Sequence, residues 1–181
     1  MRILKYALLG LIEKEEISGY DISNQFKREI GEFWSAKHSQ IYPELKRLTA
    51  EGLIEYRTLI TGIKLEKKVY CITQKGKQEL LDWLTQPKTL PETEKDEFML
   101  MMYFSAAISM EERKRLLQDQ ITKRIAKLEI LLSNQNSLEL ANDNFKSPDS
   151  WQFGHYLVLS RAISREQSYV KWLEDTLQLL V

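Results

Sequence analysis

Lys46 and Arg47 stand side by side in HSQIYPELKRLTAEGLIEY, residues 38–56, and they are the first residues here whose type and spacing could do chemistry. With about 100° between successive helical residues, Leu45 and Leu48 fall within about 40° of Ile41 and form an apolar stripe. Ser39, Pro43, Lys46, Arg47 and Ala50 then occupy the opposite side. Cations opposite a buried stripe either neutralise an anion such as a phosphate or simply solvate a surface. A second basic group follows in TGIKLEKK, where Lys64, Lys67 and Lys68 crowd a turn between two extended runs. Other reactive residue types are sparse. His38 and His155 lie in different segments without ligand spacing, and there is no P-loop, GxGxxG, HExxH or cysteine pair. Catalysis, a metal and a bound cofactor are therefore not expected. Trp151, His155 and Tyr156 could line a small-molecule pocket, although aromatic residues at helical spacing more often pack a core. Cys71 alternates with Val69 on an extended run, which favours a buried structural thiol over a redox sensor.

Composition narrows the setting. The chain has 181 residues, 43% of them hydrophobic, enough to bury the core of one ordinary domain or two small ones. Basic and acidic residues number 26 each, so any basic surface must come from local distribution. Residues 1–78 hold 14 Lys and Arg against 10 Asp and Glu, and residues 79–181 hold 12 against 16, an asymmetry that favours an anionic partner for the first half. One cysteine excludes an internal disulfide framework and fits a reducing compartment. No apolar run approaches the roughly 20 residues of a membrane helix, and MRILKYALLGLIEKEE lacks the form of a signal peptide. A cytoplasmic protein without membrane contact is expected.

The elements that must position these residues can be read from periodicity. Ile3, Leu4, Ala7, Leu8 and Leu11 predict a first amphipathic helix over 2–14. Ser18 and Asp21 open a second, whose stripe is Ile22, Phe26, Ile30 and Phe33. Pro43 is tolerable only near a helix start, so the third helix is expected to begin near Ser39 or Gln40, and Gly52 supplies its left-handed stop. LIEYRTLI and KVYCIT form a hairpin with the lysines at its tip, and Thr73 caps a helix to about residue 85 with Leu80, Leu81 and Leu84 inward. QPKTLP, residues 86–91, reads as a linker between domains at 1–85 and 92–181. The second domain looks helical throughout. FMLMMYF, 98–104, is apolar enough to be buried on most sides, and SMEE at 109–112 is a capping box. Leu117, Ile121, Ile125, Leu128 and Leu132 repeat close to the 3.5-residue period of a helix-on-helix seam. NQNSLELANDNF reads as a loop, and SPD at 147–149 starts a last helix that runs nearly to Val181. At about 1.5 Å per residue that helix exceeds the needs of a domain this size, so a second subunit is expected to cover part of it.

Three short helices, the third with outward cations, followed by a basic hairpin, form the pattern of a winged helix-turn-helix. The fold class is then mainly α with a small β-hairpin, a winged helix-turn-helix followed by a helical dimerisation domain. HSQIYPELKRLTAEGLIE, with ALLGLI at 7–12, SGYDI at 18–22 and ITQKGKQEL at 72–80, resembles the PadR family of bacterial transcriptional regulators over residues 1–85. The helical half resembles, less specifically, the C-terminal dimerisation region of one PadR subfamily. The resemblance implies a homodimeric, repressor-like protein on double-stranded DNA, contacted by Ser39, Gln40, Tyr42, Lys46 and Arg47 of the third helix and by Lys64, Lys67 and Lys68 of the wing. Related wings carry more arginine and glycine, whereas this one is lysine-based and includes Glu66. Some relatives bind phenolic acids or hydrophobic drugs, which implies a small aromatic or hydrophobic effector. The competing reading is a winged-helix module for protein contacts alone, which has no need of cations on both helix and wing.

Overall fold

The structure, a computed structural model, describes residues 2–28, 30, 34, 36–61, 65–89 and 95–180. The chain is mainly helical with one small antiparallel sheet, and it divides into two compact units, Met1–Thr89 and Leu90–Val181.

The first unit is built from α1 (Ile3–Lys14), β1 (Ile17–Ser18), α2 (Gly19–Arg28), α3 (His38–Ala50), β2 (Ile54–Thr61), β3 (Leu65–Ile72) and α4 (Gln74–Leu84). Its core joins Leu8, Leu9 and Ile12 of α1, Ile22 and Phe26 of α2, and Ile41, Leu45 and Leu48 of α3, all buried. The predicted stripes therefore meet at one centre; Phe33, assigned to the second of them, lies outside the described residues. β2 and β3 form the hairpin, with Ile54 opposite Ile72 and Thr61 opposite Leu65. A third strand, too short to read from periodicity, extends the sheet: Ile17 and Ser18 pair with Tyr70 and Val69. Ser18 also accepts the Asp21 N–H (3.2 Å) and donates to the Asp21 carboxylate (2.6 Å), closing the first turn of α2.

Two joints hold α3 and α4 in place. Gly52, at φ +69°, ends α3 in the left-handed conformation that glycine adopts without cost, and Leu53 N–H then reaches back to Leu48 O at 3.0 Å. Thr73 caps α4 by accepting the Gly76 N–H at 3.1 Å, and its own N–H donates to Leu53 O at 3.1 Å. Leu80 is buried and Trp83 packs on the core, its ring stacked on Tyr6 of α1 at 4.6 Å, but Leu81 and Leu84 are exposed. The expectation of an inward Leu81 and Leu84 is corrected: Gly76, Leu80 and Trp83 form the inward side. Cys71 is half-buried, its Sγ 3.8 Å from Glu55 O, and burial followed by the nearby Glu55 carboxylate holds its thiol above the usual range.

The second unit contains α5 (Glu97–Tyr103), a 3₁₀ turn (Ser105–Ala107), α6 (Met110–Ala141) and α7 (Trp151–Gln178). The Ser109–Glu112 capping box forms in both directions, at 3.2 and 3.1 Å. Leu131 packs with Leu159, Ala162 and Ile163, while Leu117 packs with Leu173, so α6 and α7 run antiparallel. Three expectations are corrected here. Asn134–Ala141 is helix, because Leu131 and Leu138 seven residues apart both reach the α7 cluster. The last helix starts after Ser150, whose Oγ accepts the Gln152 N–H at 3.2 Å, and so later than Ser147. In 98–104 only Phe98 is buried, and Met99, Leu100, Met101, Tyr103 and Phe104 are exposed in the single chain.

Candidate nucleic-acid interface

α3 begins at His38, a residue or two before the expected start, and Gln40 explains why: its side-chain oxygen accepts the Lys37 N–H at 2.9 Å. Pro43 thus lies in the second turn, where its missing N–H leaves the Ser39 carbonyl without a helical donor on the exposed side. Ser39, Gln40, Tyr42, Lys46 and Arg47 are all exposed, opposite the buried Ile41, Leu45 and Leu48.

The wing lysines fall differently from expectation. Lys64 lies outside the described residues. Lys67 and Lys68 are strand residues rather than tip residues, paired with Leu59 and Thr58 across the hairpin. With Tyr20, Tyr42, Lys46 and Tyr56 they line a cleft of about 970 Å³ between the start of α2, the exposed side of α3 and the sheet. Lys68 Nζ stands 4.1 Å from the centroid of the Tyr56 ring, a cation–π contact. Lys67 Nζ donates to Asp21 Oδ2 at 2.9 Å. The Ser18 hydroxyl first, and Lys67 second, hold the Asp21 carboxyl below its usual range.

Three features escaped the sequence reading. Glu44, on the flank of α3, is buried and lies 3.6 Å from both the Arg2 and the Arg47 guanidinium. The 63% exposed Arg47 side chain therefore carries an internal counter-charge, while Lys46 faces the cleft. Arg2 is drawn further along α3, donating to Glu51 at 2.7 Å. Tyr20 and Tyr56 also belong to this surface. The hairpin register, which sets Tyr56 opposite Tyr70 and Thr58 opposite Lys68, is the signal that would have found Tyr56.

In the second unit, the expected seam divides. Leu117 is buried beside Phe98 and Leu173 with Ile121 packed against them, and Leu128 packs toward Leu131 and Leu159. Most of that seam is therefore satisfied by α7 of the same chain, whereas Ile125 and Leu132 stay exposed. Between the two apolar clusters, Glu166 is fully buried and meets Arg124 (2.8 Å), Lys127 (2.9 Å) and Arg165 (3.3 Å). Arg124 also covers the Tyr169 ring at 3.9 Å, and the Tyr169 hydroxyl donates to Asp96 at 3.1 Å. The three pocket candidates sit in the first turns of α7. Trp151 is exposed and His155 half-buried; Tyr156 meets Phe145 edge-on at 5.5 Å, with Lys146 Nζ 5.5 Å from its ring. Among the described residues no group of three or more His, Cys, Asp or Glu could hold a metal ion, and no helix is long and apolar enough to cross a membrane.

Comparison with known proteins adds independent findings. Residues 8–82 match the model of the transcriptional regulator PadR-like family, and residues 94–181 match that of the virulence activator alpha C-term. The chain is 56% identical to the negative transcriptional regulator PadR of Bacillus subtilis, over 99% of this chain and 98% of that protein. It is similar to the crystal structure of Bacillus subtilis PadR in complex with operator DNA, with a TM-score of 0.92 and 54% identity, covering 99% of this chain and 100% of that one. A second structure, of Bacillus subtilis PadR in complex with p-coumaric acid, matches with a TM-score of 0.87 and 52% identity over 99% of each chain.

Proposed function

The chain belongs to the PadR-like family of transcriptional regulators, and from that membership we propose that it is a homodimeric DNA-binding repressor, released from its operator by a small aromatic acid. The observation that carries this reading is the exposed side of α3. Its exposed Lys46 lines one cleft with Lys67 and Lys68 of the sheet, and Arg47 is exposed next to it in the chain, while the other side of the helix is locked into the core. A helix anchored in this way can enter a major groove without loosening the fold, and the lysines beside it are within reach of the phosphate backbone. The protein acts in the cytoplasm, where operator DNA is.

The test is a fluorescence anisotropy titration of the operator duplex bound by the Bacillus subtilis relative and of a random duplex, at several salt concentrations. Each phosphate contact releases condensed counterions. Lys46→Ala is expected to weaken both complexes and to lower the logarithmic salt slope by roughly one. Arg47→Ala is expected to cost about 1–3 kcal/mol on operator and much less on random DNA, as loss of a guanine-edge contact does. If both variants bind operator as the parent does, α3 is not the reading element and the proposal falls.

Dimerisation is assigned to the second unit. The exposed Met99, Leu100, Met101 and Phe104 of α5, with Ile125 and Leu132 of α6, present more apolar surface than a lone helical unit leaves to water. Light scattering is expected to report about twice 21.4 kDa. A monomer at micromolar concentration would count against this assignment. The effector is assigned to the start of α7, where Trp151, His155 and Tyr156 bring aromatic surface close to the Lys146 cation, a pairing suited to an aromatic carboxylate.

A further inference from the structure

We propose that Gly19 is a positioning residue for DNA recognition: its missing side chain is the space in which the Tyr42 ring sits. The proposal rests on the DNA-binding reading above and adds to it a residue that does not itself touch DNA.

Gly19 is the first residue of α2, immediately after the two residues of β1. A Cβ built on it would lie 3.0 Å from Tyr42 Cε1 and 3.2 Å from both Cζ and the hydroxyl oxygen. Those distances are too short for an undisturbed contact, so one partner must give. The glycine cannot easily retreat, because Ser18 on one side is paired with Val69 in the sheet and the Gly19 carbonyl accepts the Ser23 hydroxyl at 2.9 Å. The ring must therefore move. Its other neighbour is the His38 imidazole, with ring centroids 4.5 Å apart and planes inclined at 42°. The phenol is thus held between a bare backbone and an imidazole, 39% exposed, at the edge of the cleft that Lys46, Lys67 and Lys68 line.

Backbone conformation does not explain this glycine. Among the described residues only Gly52 has a positive φ, so Gly19 occupies a region open to any residue, and alanine is ordinarily the better helix former. What glycine supplies here is closeness. A phenol hydroxyl held at fixed height can donate to one phosphate oxygen and set the register of α3 in the groove, whereas a displacement of a few tenths of an ångström spoils a bond of that length and angle.

The experiment compares Gly19→Ala, Tyr42→Phe and the double variant by anisotropy on operator duplex, with melting temperature measured alongside. Gly19→Ala is expected to weaken operator binding about tenfold, as loss of a hydrogen bond to a charged group does, without a lower melting temperature. Tyr42→Phe is expected to do the same, and the double variant to bind no worse than the weaker single one, because both remove one contact. Losses that multiply, or a Gly19→Ala protein that binds like the parent, overturn the proposal. Should Gly19→Ala melt lower, it is repeated in a Tyr42→Ala background. Recovery of stability there shows that the ring is what the methyl meets, and equal destabilisation in both backgrounds overturns the idea. The parent separates the two levels of inference: a parent that ignores operator sinks the DNA-binding reading and the role of Gly19 with it, whereas a parent that binds and a Gly19→Ala protein that binds equally sink only the latter.

Discussion

Gly76→Ala is expected to destabilise the first unit by about 3 kcal/mol, lowering its melting temperature by roughly 10–20 °C, although the same exchange on an open helix stabilises. The cause is a clash with backbone. A Cβ on Gly76 would lie 2.0 Å from the Leu53 carbonyl oxygen and 2.8 Å from Ile72 Cγ1. Leu53 O already accepts the Thr73 N–H, and Thr73 caps α4 through the Gly76 N–H, so moving any one of these groups breaks the others. Leu53 in turn closes the end of α3 on Leu48 O, so the damage reaches the helix that carries Lys46 and Arg47. Gly10→Ala in α1 and Gly154→Ala in α7 are the controls. Nothing lies within 4 Å of a Cβ at either, and each should be neutral or stabilising by up to about 1 kcal/mol. Thermal melts followed by circular dichroism decide the matter, and a Gly76→Ala protein that melts with the controls refutes it.

Glu166→Ala is expected to cost the second unit about 2–4 kcal/mol at neutral pH. Removing one member of a buried ion cluster strands its partners, and the loss is moderated because Lys127 and Arg165 can still reach water. Burial by itself pushes the Glu166 carboxyl up, but hydrogen bonds and charge from Arg124 and Lys127 outweigh it and hold the group below its ordinary value. A carboxyl depressed in the folded state contributes stability that is complete above its unfolded pKa of about 4.3 and is lost as pH falls through the folded value. Urea unfolding at fixed protein concentration should therefore show a large gap between parent and variant at pH 7 that narrows as pH drops below about 4. A gap independent of pH would mean that the carboxylate charge is not what stabilises this site. Glu166 also separates two apolar clusters, Leu131 with Leu159 on one side and Leu117 with Leu173 on the other, so its loss weakens the α6–α7 contact at its middle.

Legibility in the sequence followed the physics of each signal. Apolar period and caps are local, so Ile41, Leu45 and Leu48, the Thr73 cap, the Gly52 stop and the Ser109–Glu112 box all stand in the structure as read. Continuation of α6 through Asn134–Ala141 is not legible locally, because its polar residues disfavour helix and only Leu131 and Leu138 against α7 reverse that preference. The turn residues dominate TGIKLEKK and so point Lys67 and Lys68 to a hairpin tip, whereas register across β2 is a long-range property that no local signal carries.

The sequence alone was enough to show that Ile41, Leu45 and Leu48 bury one side of the third helix and that its cations face outward, and residues 1–85 carry motifs that resemble a family of DNA-binding regulators. The buried stripe and the outward cations are consequences of spacing along one chain, where neighbours three or four residues apart share a face. Only the tertiary structure decided that Glu44 would neutralise part of Arg47, that Lys67 would be drawn to Asp21, and that Tyr42 would lie on Gly19. The last two partners are more than twenty residues apart, and in Glu44 and Arg47 a charge pattern ordinary on any exposed helix acquired meaning through burial. Distances of this kind follow from how elements pack, because a side chain's partner is chosen by the folded surface around it rather than by its place in the chain.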